Sequence, residues 1–189
     1  MSKIVFDLET KNSFNDVGGR DNLEDLKVSV VGVYSYEKDS YMCFENEEID
    51  ELAPLMQNAD PLIGFSSKTF DVPVLDKYFN YKLSAVPHFD ILEKLEQKYG
   101  SKVGLGDLGK ANLGLDKSEV SGLKAIELYK NGEMERLKKY CIQDVRITKQ
   151  LFDQIISKEH LLIPRKNKPT EEKVEIKFED TQKPQKQLI

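Results

Sequence analysis

The stretch IVFDLET, residues 4–10, limits what this chain can fold into more than any other segment. Its side chains alternate with the period of a strand: Val5, Asp7 and Glu9 fall on one face, Ile4, Phe6 and Leu8 on the other. The run reads as a central, buried strand, yet it carries two carboxylates on one face. Two like charges there repel, and burying them without partners is costly. Two readings are open at this point. Either both acids sit at a strand end and face water, or they bind a divalent cation, which removes both penalties. Hard oxygen ligands of this kind suit Mg²⁺ or Mn²⁺.

The rest of the chain supplies elements to cover such a strand. LKVSVVGVYSYE and SYMCFE read as two further strands joined by a tight turn at EKDS. NEEIDELAPLMQNA places Ile49, Leu52 and Leu55/Met56 at helical spacing, with acids in the first turn. PLIGFS is a short apolar run suited to a buried parallel strand. A helix is expected over FDVPVLDKYF with Pro73 in its first turn, then a short strand at VPHFD. DILEKLEQKYG follows as a helix capped by Asp90 and ended by Gly100. Residues 101–132 read as short helices separated by glycines, and residues 134–160 as the longest helix. Strands first, then strands alternating with helices, point to an α/β layer domain with a mixed sheet. After Pro164 the composition turns to Lys, Glu, Gln and Pro. The expected division is therefore a domain over 1–164 and a charged tail over 165–189, flexible or an edge extension. Within it KVEIKF alternates and could pair as an edge strand, and QKPQKQLI could dock on a partner such as a sliding clamp, with a frayed end as the simpler reading.

Composition narrows the partners. Of the 189 residues 39% are apolar and 32% charged, an ordinary soluble balance, and no run of about 18 apolar residues is available to span a membrane. The N-terminus has no apolar signal core, so a retained N-terminus and a cytoplasmic protein are expected. Cys43 and Cys141, far apart in sequence, suit free thiols. Net charge is −5; residues 165–189 sum to +2, which leaves −7 on residues 1–164. A nucleic-acid role for the body must come from a local site rather than a general basic surface.

Acid pairs two apart also occur at Glu37/Asp39, Glu45/Glu47, Glu48/Asp50 and Glu133/Glu135, where solvated surface charge is the plain reading. In KYCIQDVRIT, Asp144 falls on or beside an apolar helical stripe of Leu137, Cys141, Thr148, Leu151 and Ile155, with Tyr140 four residues before it on the same face. That pair is either a hydroxyl satisfying a half-buried carboxylate or a third metal ligand with a group beside it that can position water. Asp71, in IGFSSKTFDVPVL, opens a helix; alone it would be a first-turn acid favoured by the helix dipole.

FDLET, GFSSKTFD and YCIQD occur in this order and in suitable elements. Together they resemble the three motifs of the DEDD exonuclease superfamily, 3′→5′ nucleases with an RNase H-like fold. The wording is closest to the proofreading domains of family B DNA polymerases and their stand-alone relatives, and the likeness covers residues 3–156. The resemblance implies an RNase H-like mixed sheet flanked by helices in a single domain. It also implies a metal-dependent 3′→5′ exonuclease acting on single-stranded DNA or RNA ends, DNA favoured, with a polymerase or other replication or repair protein as partner. Asp7, Glu9, Asp71 and Asp144 become the carboxylates of a site for two Mg²⁺ or Mn²⁺ ions, with Asp7 bridging both, Glu9 and Asp144 completing the first ion's shell and Asp71 acting mainly through waters on the second. Such ions lie roughly 3.5–4 Å apart and share the charge on the attacking and leaving oxygens. Tyr140 becomes the residue that orients the attacking water. A sister subgroup has His five residues before the last Asp; that position here is Lys139, so the chain resembles the Tyr-type subgroup.

Ser66 stands where the second motif often has Asn, a side chain that helps hold the substrate. Ser66, Phe65, Phe70 and Thr10 are the substrate-contact candidates, and Phe14 is a further ring that could stack on a base. Lys68, Lys110 and Lys124 could meet phosphates, against the plainer reading of a solvated charged face. His88 and His160 lie outside the motifs and are read as strand-end and helix-end residues. GLGDLG, residues 104–109, matches a dinucleotide fingerprint but follows a helical pattern instead of a strand, so it reads as a turn into a short helix. The competing class is a nucleic-acid-binding domain of the same fold with weak or no turnover; the presence of all four acids and Tyr140 favours the enzyme.

Overall fold

The structure is a computed structural model that describes residues 2–115, 122–164 and 171–179. Five strands form its central sheet: β1 (Ser2–Thr10), β2 (Val28–Ser35), β3 (Ser40–Glu45), β4 (Ala59–Gly64) and β5 (His88–Asp90), in the spatial order β3-β2-β1-β4-β5. β1 pairs antiparallel with β2 and β2 with β3, whereas β1–β4 and β4–β5 are parallel. Six helices accompany it among the described residues: α1 (Ile49–Gln57), α2 (Asp71–Leu75), α3 (Ile91–Tyr99), α4 (Leu105–Leu113), α5 (Gly122–Lys130) and α6 (Met134–Lys158). The mixed sheet expected from the order of strand and helix patterns is present. No described helix is long and apolar enough to cross a membrane.

The period-two pattern of β1 explains the layers. Ile4, Phe6 and Leu8 pack with Ile49, Leu52 and Met56 of α1 and Val72, Val74 and Leu75 of α2. Val5, on the other face, packs with Ile63, Phe89 and the α6 residues Val145, Leu151, Phe152 and Ile155. The two faces of one strand thus feed two separate cores. α6 carries buried residues from Leu137 to Ile155 and spans the sheet from β3 to β4.

Local chemistry sets several boundaries. The Asp90 carboxylate caps α3 by accepting from the Leu92 and Glu93 N–H groups, and Gly100 ends it in the left-handed region. Gly104 precedes α4, so GLGDLG is a turn into a short helix. Two details depart from expectation. The helix read over FDVPVLDKYF stops at Leu75 and continues only as one 3-10 turn, Asp76–Tyr78, where Asp76 accepts from Leu83 N–H and Lys77 donates to the Glu24 and Leu26 carbonyls. α6 ends at Lys158, because Glu159 turns left-handed at φ 57°, so His160 opens a strand instead of closing a helix. The charged C-terminal segment supplies β7 (Glu171–Glu175), which pairs antiparallel with β6 (His160–Pro164). Beyond β7, Ile176 is buried and Phe178 packs edge-on against Phe89 and Phe152, at 5.3 and 5.0 Å between centroids. QKPQKQLI lies outside the described residues.

One close approach places α6. Gly32 on β2 sits opposite Asp7, and a Cβ there would lie 2.9 Å from both Cys141 Sγ and Val145 Cγ2. Neither contact is tolerable, so glycine is what lets α6 lie against the sheet beside Asp7. Gly32→Ala is expected to destabilise the protein by about 1–3 kcal/mol, as overpacking of a dense core does. Urea unfolding checks this; a midpoint equal to that of the parent would mean the helix yields freely here.

Candidate active site

β1 carries its acids past the end of its parallel neighbour. The last β1–β4 pair joins Val5 to Ile63, and β4 stops at Gly64. The ladder with β2 continues, Asp7 opposite Gly32 and Glu9 opposite Val30, and shifts register between Glu9 and Thr10. Asp7 and Glu9 therefore stand at the carboxyl end of the parallel strands, where one neighbour has turned away and a crevice opens. α6 crosses this crevice and adds Asp144. Single carboxylate oxygens of Asp7, Glu9 and Asp144 all lie within 4.8 Å of one another. The Cys141 thiol, one turn before Val145, donates to the Asp7 carbonyl at 3.5 Å.

Asp71 enters from the opposite face of the sheet as the first residue of α2. Its Oδ1 accepts the Leu8 N–H at 3.1 Å, giving β1 an acceptor beyond the point where β4 supplies one. Asp71 lines the same cleft as the other three acids, a cavity of about 420 Å³ whose walls include Phe14, Phe65, Ser66 and Phe70. That volume is within the range of small-ligand sites. Tyr140, half-buried one turn before Asp144, lies beside it on the same helix face.

Crowding shows in the ionisation of the cluster. Burial, then repulsion from Asp71, Asp144 and Glu9, raises Asp7 well above the usual carboxylate range. Burial, then Asp144 and Asp71, does the same to Glu9. Burial pushes Asp71 up to about 7 against the opposing pull of the Leu8 N–H. Burial also pushes Asp144 up to about 6, and the Tyr140 hydroxyl opposes it. Burial and the neighbouring Asp144, Glu9 and Asp7 hold the Tyr140 phenol protonated. Three converging hard-oxygen donors that repel one another fit a divalent cation of the Mg²⁺ or Mn²⁺ type, with Asp7, Glu9 and Asp144 as the residues to hold it and Asp71 beside them.

The loop between β4 and α2 forms one wall and is tied down by a residue whose role the sequence understated. Asp90 was expected only to cap α3. Its Oδ1 also accepts from Ser66 N–H at 2.9 Å and its Oδ2 from Lys68 N–H at 3.0 Å. One buried carboxylate thus fixes both α3 and the loop that presents Phe65, Ser66 and Phe70. Ser66 adopts φ 61°, a region where Asn is better tolerated than Ser, and its hydroxyl meets the Thr69 hydroxyl at 3.1 Å. The Asn-to-Ser departure therefore falls on a conformationally demanding position in the wall of the cleft. His88 is half-buried, its Nε2 2.9 Å from Ser67 Oγ, and desolvation lowers it to about 4.

Other expected contacts lie elsewhere. Thr10 is buried and gives its hydroxyl to the Asn12 carbonyl at 2.8 Å, outside the cleft lining. Lys68 pairs with Glu93 at 2.7 Å and Lys124 with Glu127 at 2.8 Å; neither they nor Lys110 line the cleft. Among the described residues the cations that do line it are Arg20 and Lys102, which no motif flagged. The only sequence signal for Arg20 was its place after Gly18 and Gly19, in a turn.

Fold and site together define the class: an RNase H-like α/β domain with a carboxylate cluster at the mouth of its central strand. Residues 4–156 match the family described as the RNase_H superfamily, and the chain belongs to that superfamily. Members of this superfamily are usually nucleases or related hydrolases that use divalent metals. No curated protein matches the chain.

The acids supply a pH-dependent test. Asp71 and Asp144 hold protons up to about pH 7 and 6, and a cation must displace them. Binding therefore tightens as pH rises through this window. The rise in Tm caused by Mg²⁺ or Mn²⁺ is expected to be several degrees larger at pH 8 than at pH 5.5, by thermal unfolding with and without chelator. An equal rise at both pH values would exclude these acids as ligands.

Proposed function

We propose that the chain is a metal-dependent 3′→5′ exonuclease that hydrolyses phosphodiester bonds at single-stranded ends, with DNA favoured over RNA. The observation that carries this reading is the convergence of Asp7, Glu9 and Asp144 within 4.8 Å, in one cleft with Asp71. Four acids gathered from β1, α2 and α6 are each shifted against their own ionisation, so the cluster as a whole opposes folding even though Asp71 also accepts the Leu8 N–H. Polarity and the DNA preference rest on the motif resemblance.

Divalent cations bound here would activate water and neutralise charge on the attacking and leaving oxygens. The protein's own groups do the rest. Asp7 and Glu9 are held rigidly by a strand, so their separation does not depend on a mobile loop. Asp144 and Tyr140 come as neighbours, one turn apart on one helix face. The protonated Tyr140 hydroxyl can hold a water for in-line attack and, unlike a carboxylate, adds no charge to a crowded site. Asp71 has one oxygen on Leu8 N–H, which leaves the other to face the cleft. Phe65 and Phe70 offer ring surface to a terminal base, and Ser66 a hydroxyl.

The test uses 5′-labelled single-stranded DNA and RNA with Mg²⁺, Mn²⁺ or chelator. A ladder that shortens from the 3′ end, absent with chelator and in Asp7→Ala and Asp144→Ala, is the expected result. Binding without cleavage in every cation would assign the fold a scaffold role, and faster degradation of RNA would reverse the DNA preference. Tyr140→Phe is expected to lower kcat about 100-fold while the metal dependence of Tm stays unchanged. Equal loss of both would make Tyr140 a structural residue.

A further inference from the structure

The cleft of a −7 body, lined by four acids, must admit a polyanion, and its cations are the place to ask how. Lys102 is largely committed to solvent and to Glu96, 3.8 Å away. Arg20 differs. Its guanidinium carbon lies over the Phe14 ring, 4.5 Å from the centroid, and among the described residues no carboxylate pairs with it. Phe14 in turn packs edge-on against Phe70 at 5.7 Å, so the stack continues into the cleft wall. A guanidinium lying over a ring keeps its in-plane N–H fork free, and that fork matches a phosphate.

The segment that carries Arg20 is built to hold it there. Gly18 and Gly19 adopt φ +82° and +133°, which L side chains rarely reach. Gly19 N–H donates to the Phe14 carbonyl at 2.8 Å, closing the turn that brings Arg20 back over the ring. Asn22 donates to the Val17 carbonyl at 2.7 Å, and Asp16 accepts from both the N–H and the hydroxyl of Ser13, at 2.7 and 2.8 Å. An exposed cation is thus preorganised at the rim of the cleft, against an aromatic wall and without a counter-ion among the described residues.

We infer that Arg20, held over Phe14, is the strand-gripping residue of this cleft and binds a phosphodiester on the 5′ side of the bond to be cut. The inference rests on the nuclease reading of the same cleft. The acid cluster would hold the cations that take the scissile phosphate, while Arg20 stands exposed at the rim, where the following phosphate of a strand would pass. The ligand class is a single-stranded polynucleotide at least three nucleotides long. Arg20 is a positioning residue here, because it touches no reacting atom.

The experiment compares the parent with Arg20→Ala, Arg20→Lys and Phe14→Leu on two substrates: a single-stranded oligo(dT) and thymidine 5′-monophosphate p-nitrophenyl ester, which has no second nucleotide. Arg20→Ala should raise the oligonucleotide KM roughly tenfold with kcat nearly unchanged, and leave hydrolysis of the ester unaltered. Arg20→Lys should fall between, since it keeps the charge without the fork. Phe14→Leu, which keeps apolar bulk without a π face, should shift KM in the same direction by less. Binding of the oligonucleotide in Ca²⁺ gives a readout separate from turnover. The slope of log affinity against log salt should drop by about 0.7 in Arg20→Ala, the loss of one phosphate contact on a single strand. An unchanged slope and KM overturn the inference, as does equal impairment on both substrates. A parent that binds oligo(dT) with this slope difference but hydrolyses neither substrate overturns the nuclease reading and leaves the Arg20 contact standing.

Discussion

Asp144 reaches Asp7 because α6 lies hard against the sheet, and α6 lies there because residue 32 has no side chain. The row across the sheet at this level runs Asp7, Gly32, Cys43, with Cys141 and Val145 of α6 set directly on the glycine. Every feature of the site is referred to this contact. Tyr140 and Asp144 are one turn apart on the helix face that the contact points at the crevice, and Cys141 between them bonds the Asp7 carbonyl. Dense interiors transmit small displacements, so the helix position is a geometric parameter of the site and not merely a packing detail.

The site opposes the fold that builds it. Charge repulsion and burial both act against ionised carboxylates here, and the protein holds them together with backbone ladders and two cores rather than with ion pairs. The strained part is confined to the open end of β1, where one neighbour has left. The supporting parts are conventional: Asp90 satisfied by four backbone N–H groups, and α6 anchored by an apolar stripe. This division, a frustrated centre on a well-satisfied frame, is what a cation-binding centre requires, since the unrelieved repulsion is the free energy that cation binding recovers.

Much of this was legible from residue order. Alternation in residues 4–10 gave the faces of β1 correctly, and the acids on β1 and α6 stood out because they interrupted apolar patterns. The resemblance put Asp71 with them, and the structure places it in the same cleft. What the pattern hid was long-range or conformational. Asp90 looked complete as a helix cap, and nothing local reveals that its second oxygen serves a loop more than twenty residues earlier. Arg20 sits in a polar, glycine-containing turn whose shape is set by hydrogen bonds, not by periodicity. Lys68 stood inside a motif, yet pairing with Glu93 turns it from the cleft. The Phe178 ring, in a segment of tail-like composition, fills a place between Phe89 and Phe152 that no spacing rule would assign.

For the proposed nuclease, the bond from Leu8 N–H to Asp71 has a practical meaning for anyone wishing to capture it with an uncut strand. Asp71 serves two masters, the cleft and the exposed edge of β1. In the proposed nuclease, replacing it with a residue lacking an acceptor would remove a carboxylate of the centre and unseal the strand at once, so an inactive protein of that kind would report on folding as much as on catalysis. Asp7 and Asp144 hold no such second post in the β1 ladder through their carboxylates, which makes them the cleaner positions at which to disarm the centre while leaving its frame in place.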